Sequence, residues 1–214
     1  MSDDIHRHHL AEVVRRLAAL GLSPGGSGNA SIRFGDRILI TATGGSFART
    51  TPDSLAVVDL DGRPLDARDD EPRPSKEVPL HVAVYQERPE VSAIVHVHSP
   101  FATALAALAM PGTEALEPHT PYAVMRLGGL PVAPYARPGS ADLGDSIREV
   151  IRRSDVALLG SHGSIAVGRS LDDAADLAEE AEAAAQVALL LRGAGAPVLP
   201  ATEVEALRAR RARR

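Results

Sequence analysis

The sequence predicts one globular domain of the α/β class. Its 214 residues include 44% apolar side chains, which is enough for a single core of ordinary size. Short runs rich in Val and Ile alternate along the chain with segments of helical periodicity. Glycine- and proline-rich turns separate these segments. Together these observations indicate a domain built from both strands and helices.

Hydrophobic periodicity and turn residues place the elements along the chain. In the first half they predict, in order, a helix over residues 5–20, a short strand after a glycine-rich loop, strands over 37–41 and 55–59, and a surface loop over 63–74. In the second half they predict a helix from Ser75 to residue 88, a strand over 91–97, a helix over 101–108, an irregular stretch over 111–130, an edge strand over 130–135, a helix over 141–153, strands over 156–159 and 164–167, and a helix over 171–191. Ser75 is the predicted N-cap of its helix because Pro79 is tolerated only in a first turn.

His96 and His98 lie at the end of the predicted strand 91–97, an apolar run typical of a buried strand. Side chains two residues apart on a strand point to the same face, so the two imidazoles project side by side. A histidine pair at a rigid strand end can form half of a metal site. The alternative is two polar residues at a strand end, one of them bonded to the backbone.

A third histidine and one carboxylate extend the predicted site. His162 lies in the turn 160–163 between two predicted strands, and catalytic zinc typically has three protein ligands and one open position. Glu77 lies at a predicted helix N-terminus, where backbone amides favour a negative charge. A plain polar turn residue and a helix-dipole partner are the respective alternatives, and both stay open at this point.

Two glycine-rich loops could supply an anion site. The segments 21–29 and 43–46 adjoin predicted strands and offer backbone N–H groups, which can bind a phosphate. Simple turn formation is the alternative for either loop alone. Taken with the three histidines and Glu77, the loops indicate a metal acting as a Lewis acid on a phosphorylated substrate, with a carboxylate transferring protons.

Composition and charge disfavour several classes of function. The net charge of −5 argues against a nucleic-acid surface, and no apolar stretch approaches the roughly 20 residues of a membrane span. With no cysteine, any metal must be bound by His, Asp or Glu. No signal-peptide pattern follows Met1, so we expect a cytoplasmic protein. The arginine-rich segment 208–214 is expected to be a solvated, frayed terminus without an assigned function.

An ordered set of short motifs resembles the class II aldolase/adducin family, from the first helix to about residue 192. The motifs are Ser27-Gly28-Asn29-Ala30-Ser31, Thr43-Gly44-Gly45, Pro74-Ser75-Lys76-Glu77, His96-Val97-His98-Ser99-Pro100 and His162-Gly163. Each motif is weak alone, but their order and spacing are specific. The resemblance implies a single α/β/α domain over residues 1–200 with a central, mostly antiparallel sheet, followed by an arginine-rich tail over 201–214. It also implies a homotetramer with active sites at subunit boundaries.

The resemblance further implies a role for each matching residue. It assigns one zinc ion per subunit, or another divalent metal, to His96, His98 and His162, and it makes Glu77 the catalytic acid or base. The substrate phosphate would be bound by Gly28, Asn29, Thr43, Gly44, Ser75 and, by position, Lys76. His81 has no assigned role and is expected to pack on its own helix.

Two details indicate a subgroup of the family. Lys76 stands where many sugar-phosphate aldolases of this family have the second serine of Ser-Ser-Glu, and its charge suits a substrate with a carboxylate as well as a phosphate. The segment 120–139 is similar to that of 3-oxo-tetronate 4-phosphate decarboxylases, in which a tyrosine at the position of Tyr122 is a candidate proton donor. The resemblance therefore implies a lyase that decarboxylates such a sugar acid to dihydroxyacetone phosphate, through an enediolate whose charge the metal stabilises.

Three other functions stay open at this point. They are a ketose-1-phosphate aldolase of the fuculose or ribulose phosphate type, a pentulose-phosphate 4-epimerase, and a non-catalytic adducin-like module. Each of the enzymes would take a small phosphorylated sugar or sugar acid as its partner, with no nucleic acid and no membrane.

Overall fold

A sheet of seven strands forms the centre of the fold in the part of the chain that the structure describes. The structure is a computed structural model and describes residues 3–65 and 71–211. The strands are β1 Asn29–Phe34, β2 Arg37–Thr41, β3 Leu55–Asp59, β4 Ala93–Val97, β5 Val132–Ala133, β6 Val156–Leu159 and β7 Gly163–Gly168. Their order across the sheet is β3-β2-β1-β4-β7-β6-β5, and every neighbouring pair is antiparallel except β5 with β6.

Helices cover both faces of this sheet. They are α1 Asp3–Ala19, α2 Val78–Glu87, α3 Pro100–Leu108, α4 Pro121–Arg126, α5 Ala141–Ile151, α6 Leu171–Leu191 and α7 Ala201–Arg211, with short 3-10 turns at Phe47–Arg49 and Pro52–Ser54. One apolar cluster contains residues of α1, α3 and α6, and a second contains residues of α2 and α5. Strand β4 contributes Val95 and Val97 to the first cluster and Ile94 to the second, as expected for alternating side chains. The predicted α/β/α class with a mostly antiparallel sheet is confirmed.

The register of β4 determines where the predicted site residues meet. β4 is the middle strand and lies between β1 and β7. Asn29 of β1 is paired with His96, and Ser164 of β7 is paired with Val97. The glycine-rich loop before β1 and the turn before β7 therefore reach the same edge of the sheet as the histidines at the end of β4.

Helix α4 lies inside the stretch 111–130, which the sequence predicts to be irregular, and this prediction is wrong there. The hydroxyl of Thr120 accepts a hydrogen bond from the N–H of Ala123 at 3.4 Å, and Pro121 occupies the first helical position. The helix has six residues, which is too short for hydrophobic periodicity to reveal it.

Helix α7 includes residues 208–211 of the segment 208–214, which was expected to be a frayed terminus. Val204 and Leu207 are buried in a small cluster with Val124 of α4. A guanidinium nitrogen of Arg211 donates to the carboxylate of Asp155 at 2.6 Å. The structure thus differs from the expected frayed terminus over residues 208–211, because one apolar face of α7 and one ion pair attach the helix to the domain. Residues 212–214 lie outside the described range.

Helix α2 begins at Val78 rather than at the predicted cap, Ser75. The backbone of Ser75 accepts a hydrogen bond from the N–H of Val78 at 3.2 Å, and the Ser75 hydroxyl accepts one from the N–H of Glu77, also at 3.2 Å. These bonds form a turn before the helix and leave Glu77 itself in the cap position. The predicted N-cap is therefore two residues early.

The other elements lie within a few residues of their predicted bounds. The edge strand predicted over 130–135 is reduced to Val132–Ala133, at the end of the sheet order as expected. Residues 66–70 of the predicted surface loop lie outside the described residues. Across 3–65 and 71–211, no helix combines the length and apolar character needed to cross a membrane.

Candidate active site

The three predicted histidines form one cluster. His96 is on β4, His98 follows the same strand, and His162 is in the turn that connects β6 to β7. Because β4 and β7 are antiparallel neighbours, the end of one strand lies beside the start of the other. One ring nitrogen of each histidine lies within 4.8 Å of those of the other two, and the Nε2 atoms of His96 and His98 are 3.0 Å apart.

The backbone of β7 orients the imidazole of His96. Its Nδ1 lies 2.8 Å from the carbonyl oxygen of Ser164, which can only accept a hydrogen bond. Nδ1 therefore carries a proton, and Nε2 is the ring atom that faces His98 and Glu77. This is the arrangement by which backbone carbonyls commonly fix metal-binding histidines.

The cluster fits a divalent metal ion. Both ring nitrogens of His162 are buried and have no hydrogen-bond partner among the described residues. Burial lowers the pKa of His98 and of His162 to about 4, so both rings are neutral at physiological pH. A neutral imidazole is the form that binds a metal, and a bound ion would satisfy the unpaired nitrogens.

Glu77 lies directly beside this cluster. One carboxylate oxygen, Oε2, is 3.2 Å from Nε2 of His96, and the other, Oε1, is 3.5 Å from Nε2 of His162. Asn29 donates a hydrogen bond from Nδ2 to Oε2 at 2.6 Å. Burial raises the pKa of Glu77, but the contacts with His96 and the hydrogen bond from Asn29 outweigh it and lower the pKa to about 2. Glu77 is therefore a carboxylate at neutral pH and can accept a proton.

A cleft of about 210 Å³ opens onto the cluster. The predicted site residues that line it are Gly28, Asn29, Thr43, Gly44, Ser75, Lys76, Glu77, His98 and His162. His96 lies fully buried behind them. The structure thus brings the two glycine-rich loops, the N-terminus of α2 and the histidine cluster to one opening.

Sequence reasoning missed one wall of the cleft, formed by Pro138 and Gly139. The sequence gives Gly139 no predicted role in the site. It has φ of +76°, and a side chain added there would come within 3.4 Å of Cβ of Lys76. The Pro-Gly pair indicates a turn, but only the folded chain shows that this turn meets Lys76.

Tyr122 is not among the residues that line the cleft. It lies on α4 with an exposed side chain, near Glu180 of α6. The Glu180 carboxylate raises the pKa of Tyr122, so the phenol stays protonated at neutral pH. Within one chain, the predicted proton donor therefore faces α6 and not the histidines.

Gly28 allows the loop before β1 to approach the metal cluster. Its φ is +78°, and a side chain there would come within 2.8 Å of the carbonyl oxygen of His96. We expect Gly28→Ala to destabilise the protein by about 3 kcal/mol, because it combines a left-handed backbone with a clash against β4. Metal affinity should fall as well, since the clash displaces His96. Chemical denaturation and metal titration measure the two effects.

Gly35 offers a matched control for this substitution. Its φ is also positive, at +57°, but no atom lies within 4 Å of the position of an added side chain. Gly35→Ala should therefore cost only about 1 kcal/mol and leave metal affinity unchanged. Equal losses in the two variants would contradict the role of the Gly28–His96 contact.

Comparison with known proteins gives matches along most of the chain. The model of the Class II Aldolase and Adducin N-terminal domain matches residues 8–189. The chain belongs to this family. This match confirms the membership in the class II aldolase/adducin family that the ordered motifs led us to expect.

Several relatives match this chain over nearly its full length. A 3-oxo-tetronate 4-phosphate decarboxylase of Haemophilus influenzae is 38% identical over 209 residues, which are 97% of this chain and 98% of the relative. A 5-methylthioribulose-1-phosphate/5-deoxyribulose-1-phosphate aldolase of Rhodospirillum rubrum is 37% identical over 202 residues, 93% of this chain and 87% of the relative. The crystal structure of YgbL from Escherichia coli, described as a candidate aldolase, epimerase or decarboxylase, has a TM-score of 0.89 at 32% identity and covers 96% of this chain and 99% of that one. The predicted lyase class is confirmed.

Proposed function

We propose that the chain is a metal-dependent lyase that decarboxylates a 3-oxo-tetronate 4-phosphate to dihydroxyacetone phosphate. The arrangement that carries this proposal is a three-histidine cluster with Glu77 beside it and Lys76 at the mouth of the same cleft. A relative named for this reaction is 38% identical over 97% of the chain, which supports it. The substrate is anionic at both ends, so it suits a cleft that offers a cation as well as phosphate-binding loops.

The two glycine-rich loops and the turn before α2 would bind the substrate phosphate. Gly28, Thr43, Gly44 and Ser75 line the cleft, and we propose that their backbone N–H groups and hydroxyls donate to phosphate oxygens. Lys76 adds a positive charge beside them. The Asn29 amide has two N–H groups, one of which Glu77 already occupies, so a second is left for the phosphate.

The ligands of the metal would be His96, His98 and His162, with one zinc ion or another divalent ion per chain. When bound, such an ion supplies Lewis-acid stabilisation of negative charge on the substrate's carbonyl oxygen, typically worth several kcal/mol. The buried, unpaired nitrogens of His162 and the oriented Nε2 of His96 support this assignment.

Decarboxylation needs one proton delivered to carbon. The bond between the carboxylate carbon and C2 breaks, CO₂ leaves, and the electron pair stays on C2 in conjugation with the C3 ketone. A proton added at C2 then completes dihydroxyacetone phosphate. Glu77, which is ionised at neutral pH, would relay this proton at Oε1 after taking it up from solvent, and Tyr122, whose phenol is protonated, is the second candidate for the donor.

We propose that Tyr122 serves the cleft of a neighbouring copy in a homotetramer, because it faces α6 in its own chain. In that case Glu77→Gln and Tyr122→Phe should each be inactive alone, whereas a mixture refolded together should regain activity. Clefts that combine Glu77 of the Tyr122→Phe chain with Tyr122 of the Glu77→Gln chain are intact. Turnover of the mixture against each parent measures the effect. A mixture no more active than its parents would place the proton donor elsewhere.

A ketose-1-phosphate aldolase is the second candidate. The Rhodospirillum rubrum relative, 37% identical over 93% of the chain, bears this type of name. Retro-aldol cleavage needs a base for the substrate hydroxyl, and Glu77 is the ionised carboxylate that lies beside the histidine cluster. An epimerase would use the same base. A non-catalytic module is disfavoured because the histidine cluster and Glu77 are all present.

Product analysis distinguishes these candidates. The purified chain, reconstituted with zinc, is incubated with 3-oxo-tetronate 4-phosphates and separately with ketose 1-phosphates. Release of CO₂ with dihydroxyacetone phosphate indicates the decarboxylase, an aldehyde product the aldolase, and a stereoisomer the epimerase. A chain that binds no metal and converts neither substrate class would overturn the proposal. The expected cytoplasmic location is tested separately by fractionating the source cells.

A further inference from the structure

A row of buried hydrogen bonds runs from Glu77 into the protein, away from the cleft, through Asn29, His81, Ser31 and Tyr85. The Glu77 carboxylate is bonded to Nδ2 of Asn29 at 2.6 Å, and Oδ1 of Asn29 is 2.5 Å from Nε2 of His81. Nδ1 of His81 is 2.7 Å from the hydroxyl of Ser31, which is in turn 2.7 Å from the hydroxyl of Tyr85. The substrate-binding loops supply none of these links beyond Asn29.

The periodicities of one strand and one helix produce this row of hydrogen bonds. Asn29 and Ser31 are two residues apart on β1 and therefore share one face of the strand. Glu77, His81 and Tyr85 are four residues apart at the start of α2 and along it, and therefore share one face of the helix. When α2 packs on β1, the side chains of the strand and those of the helix alternate along the row of hydrogen bonds.

Every member of the row is buried. Ser31 and His81 have no exposed surface, and Asn29, Tyr85 and Glu77 are each less than a tenth exposed. A buried polar group without a partner typically costs about 1–3 kcal/mol, so each of these groups depends on its neighbour in the row. Removing one link leaves its neighbour unpaired.

The chemistry of the groups determines the direction of every hydrogen bond. The Nδ2 group of Asn29 faces Glu77 and can only donate, whereas its Oδ1 faces His81 and can only accept, so it accepts from Nε2–H of His81. Burial lowers the pKa of His81 to about 3, so the ring is neutral and its Nδ1 accepts from Ser31. The hydroxyl of Ser31 then accepts from Tyr85. All four donors point towards Glu77.

We propose that His81 is a positioning residue for Glu77, acting through Asn29, with Ser31 and Tyr85 fixing its tautomer. This inference rests on the catalytic role proposed above for Glu77. The row holds the Oε2 atom of Glu77 against Asn29 and turns Oε1 towards His162 and the cleft. Oε1 is thereby the oxygen that exchanges a proton with the substrate.

Kinetics of zinc-loaded, full-length variants test this role. His81→Leu should lower kcat about 10- to 100-fold at unchanged KM and zinc content, comparable with the loss of other residues that orient active-site groups. His81→Gln retains a donor and an acceptor and should recover most of that loss. The exposed His8, on α1, gives the control His8→Leu, which should match the wild type.

A purely structural role gives a different result. In that case His81→Leu would lower the melting temperature but keep kcat within twofold, or His81→Gln would be no more active than His81→Leu, and either result overturns the proposal. Should His81→Leu fail to fold, Tyr85→Phe and Ser31→Ala remove single hydroxyls and should each lower kcat at constant KM, the nearer link, Ser31, more strongly. No change in kcat in both variants would also overturn it.

Nitrogen NMR tests the row without any substrate. In ¹⁵N-histidine-labelled protein, His81 should show the neutral tautomer with the proton on Nε2. The Nδ1–H tautomer or an imidazolium at pH 7 would overturn the proposed row. Absence of turnover on every substrate, with the Nε2–H tautomer present, would instead count against the proposed function and leave the hydrogen-bond row intact.

Discussion

Glu77→Gln should lower kcat about 1000-fold without removing the bound metal. Glutamine has the same shape and can still accept the hydrogen bond from Asn29, which is 2.6 Å away in the native site. It cannot accept a proton at neutral pH, and a well-placed general acid or base typically contributes 10²- to 10⁴-fold. Steady-state kinetics and the zinc content of the same preparation measure the two quantities.

A matched control separates chemistry from general perturbation. Glu149 is an exposed residue of α5 whose carboxylate pairs only with the neighbouring Arg153 among the described residues, so Glu149→Gln should be as active as the wild type. If Glu77→Gln kept more than about a tenth of the wild-type kcat at full zinc content, proton transfer would have to take place at another group.

The parts of the site that lie close together in sequence could be predicted from local rules. His96 and His98 are two residues apart on a strand, and a period of two places both on one face before any tertiary contact is known. The turn that holds His162 is likewise local, since Leu159 and His162 close it with one backbone hydrogen bond of 2.9 Å. That these two segments meet does not follow from either segment alone, and before the structure it was implied only by the resemblance to a family.

The hydrogen-bond row could not be predicted, because it depends on how two distant segments pack. Asn29 and His81 are 52 residues apart in sequence, and neither β1 nor α2 alone shows that their polar residues interleave. His81 was expected to pack on its own helix, and its sequence neighbours, Leu80 and Val82, give no other signal. Only the packing of α2 on β1 gives this histidine a partner at each ring nitrogen.

The short helices α4 and α7 escaped prediction for a related reason. The apolar side chains by which they are attached are few, and they contact each other rather than the main core. Val204 and Leu207 are the buried residues of α7, and two residues do not define a periodicity. Their partner, Val124, lies in another short helix, so neither segment predicts the other.

His162→Ala should abolish the stabilisation of the protein by zinc. In the wild type, zinc at 1000 times its dissociation constant should raise the free energy of unfolding by about 4 kcal/mol, because it binds the folded chain. Loss of a residue that only orients a ligand typically weakens metal binding 10- to 100-fold, so loss of a ligand itself should weaken it by more than about 100-fold. Calorimetric zinc titration and unfolding curves with and without zinc measure both effects.

The metal-free proteins provide the sharper comparison. His162 has two buried nitrogens without partners among the described residues, so its side chain contributes little to the fold until a metal binds. Metal-free His162→Ala should therefore unfold within about 1 kcal/mol of the metal-free wild type, whereas the zinc-dependent increase should be absent from it. His8→Ala, which removes an exposed imidazole on α1, should retain the full increase. If His162→Ala were destabilised equally with and without zinc, His162 would be a structural residue of the β6–β7 turn and not a ligand.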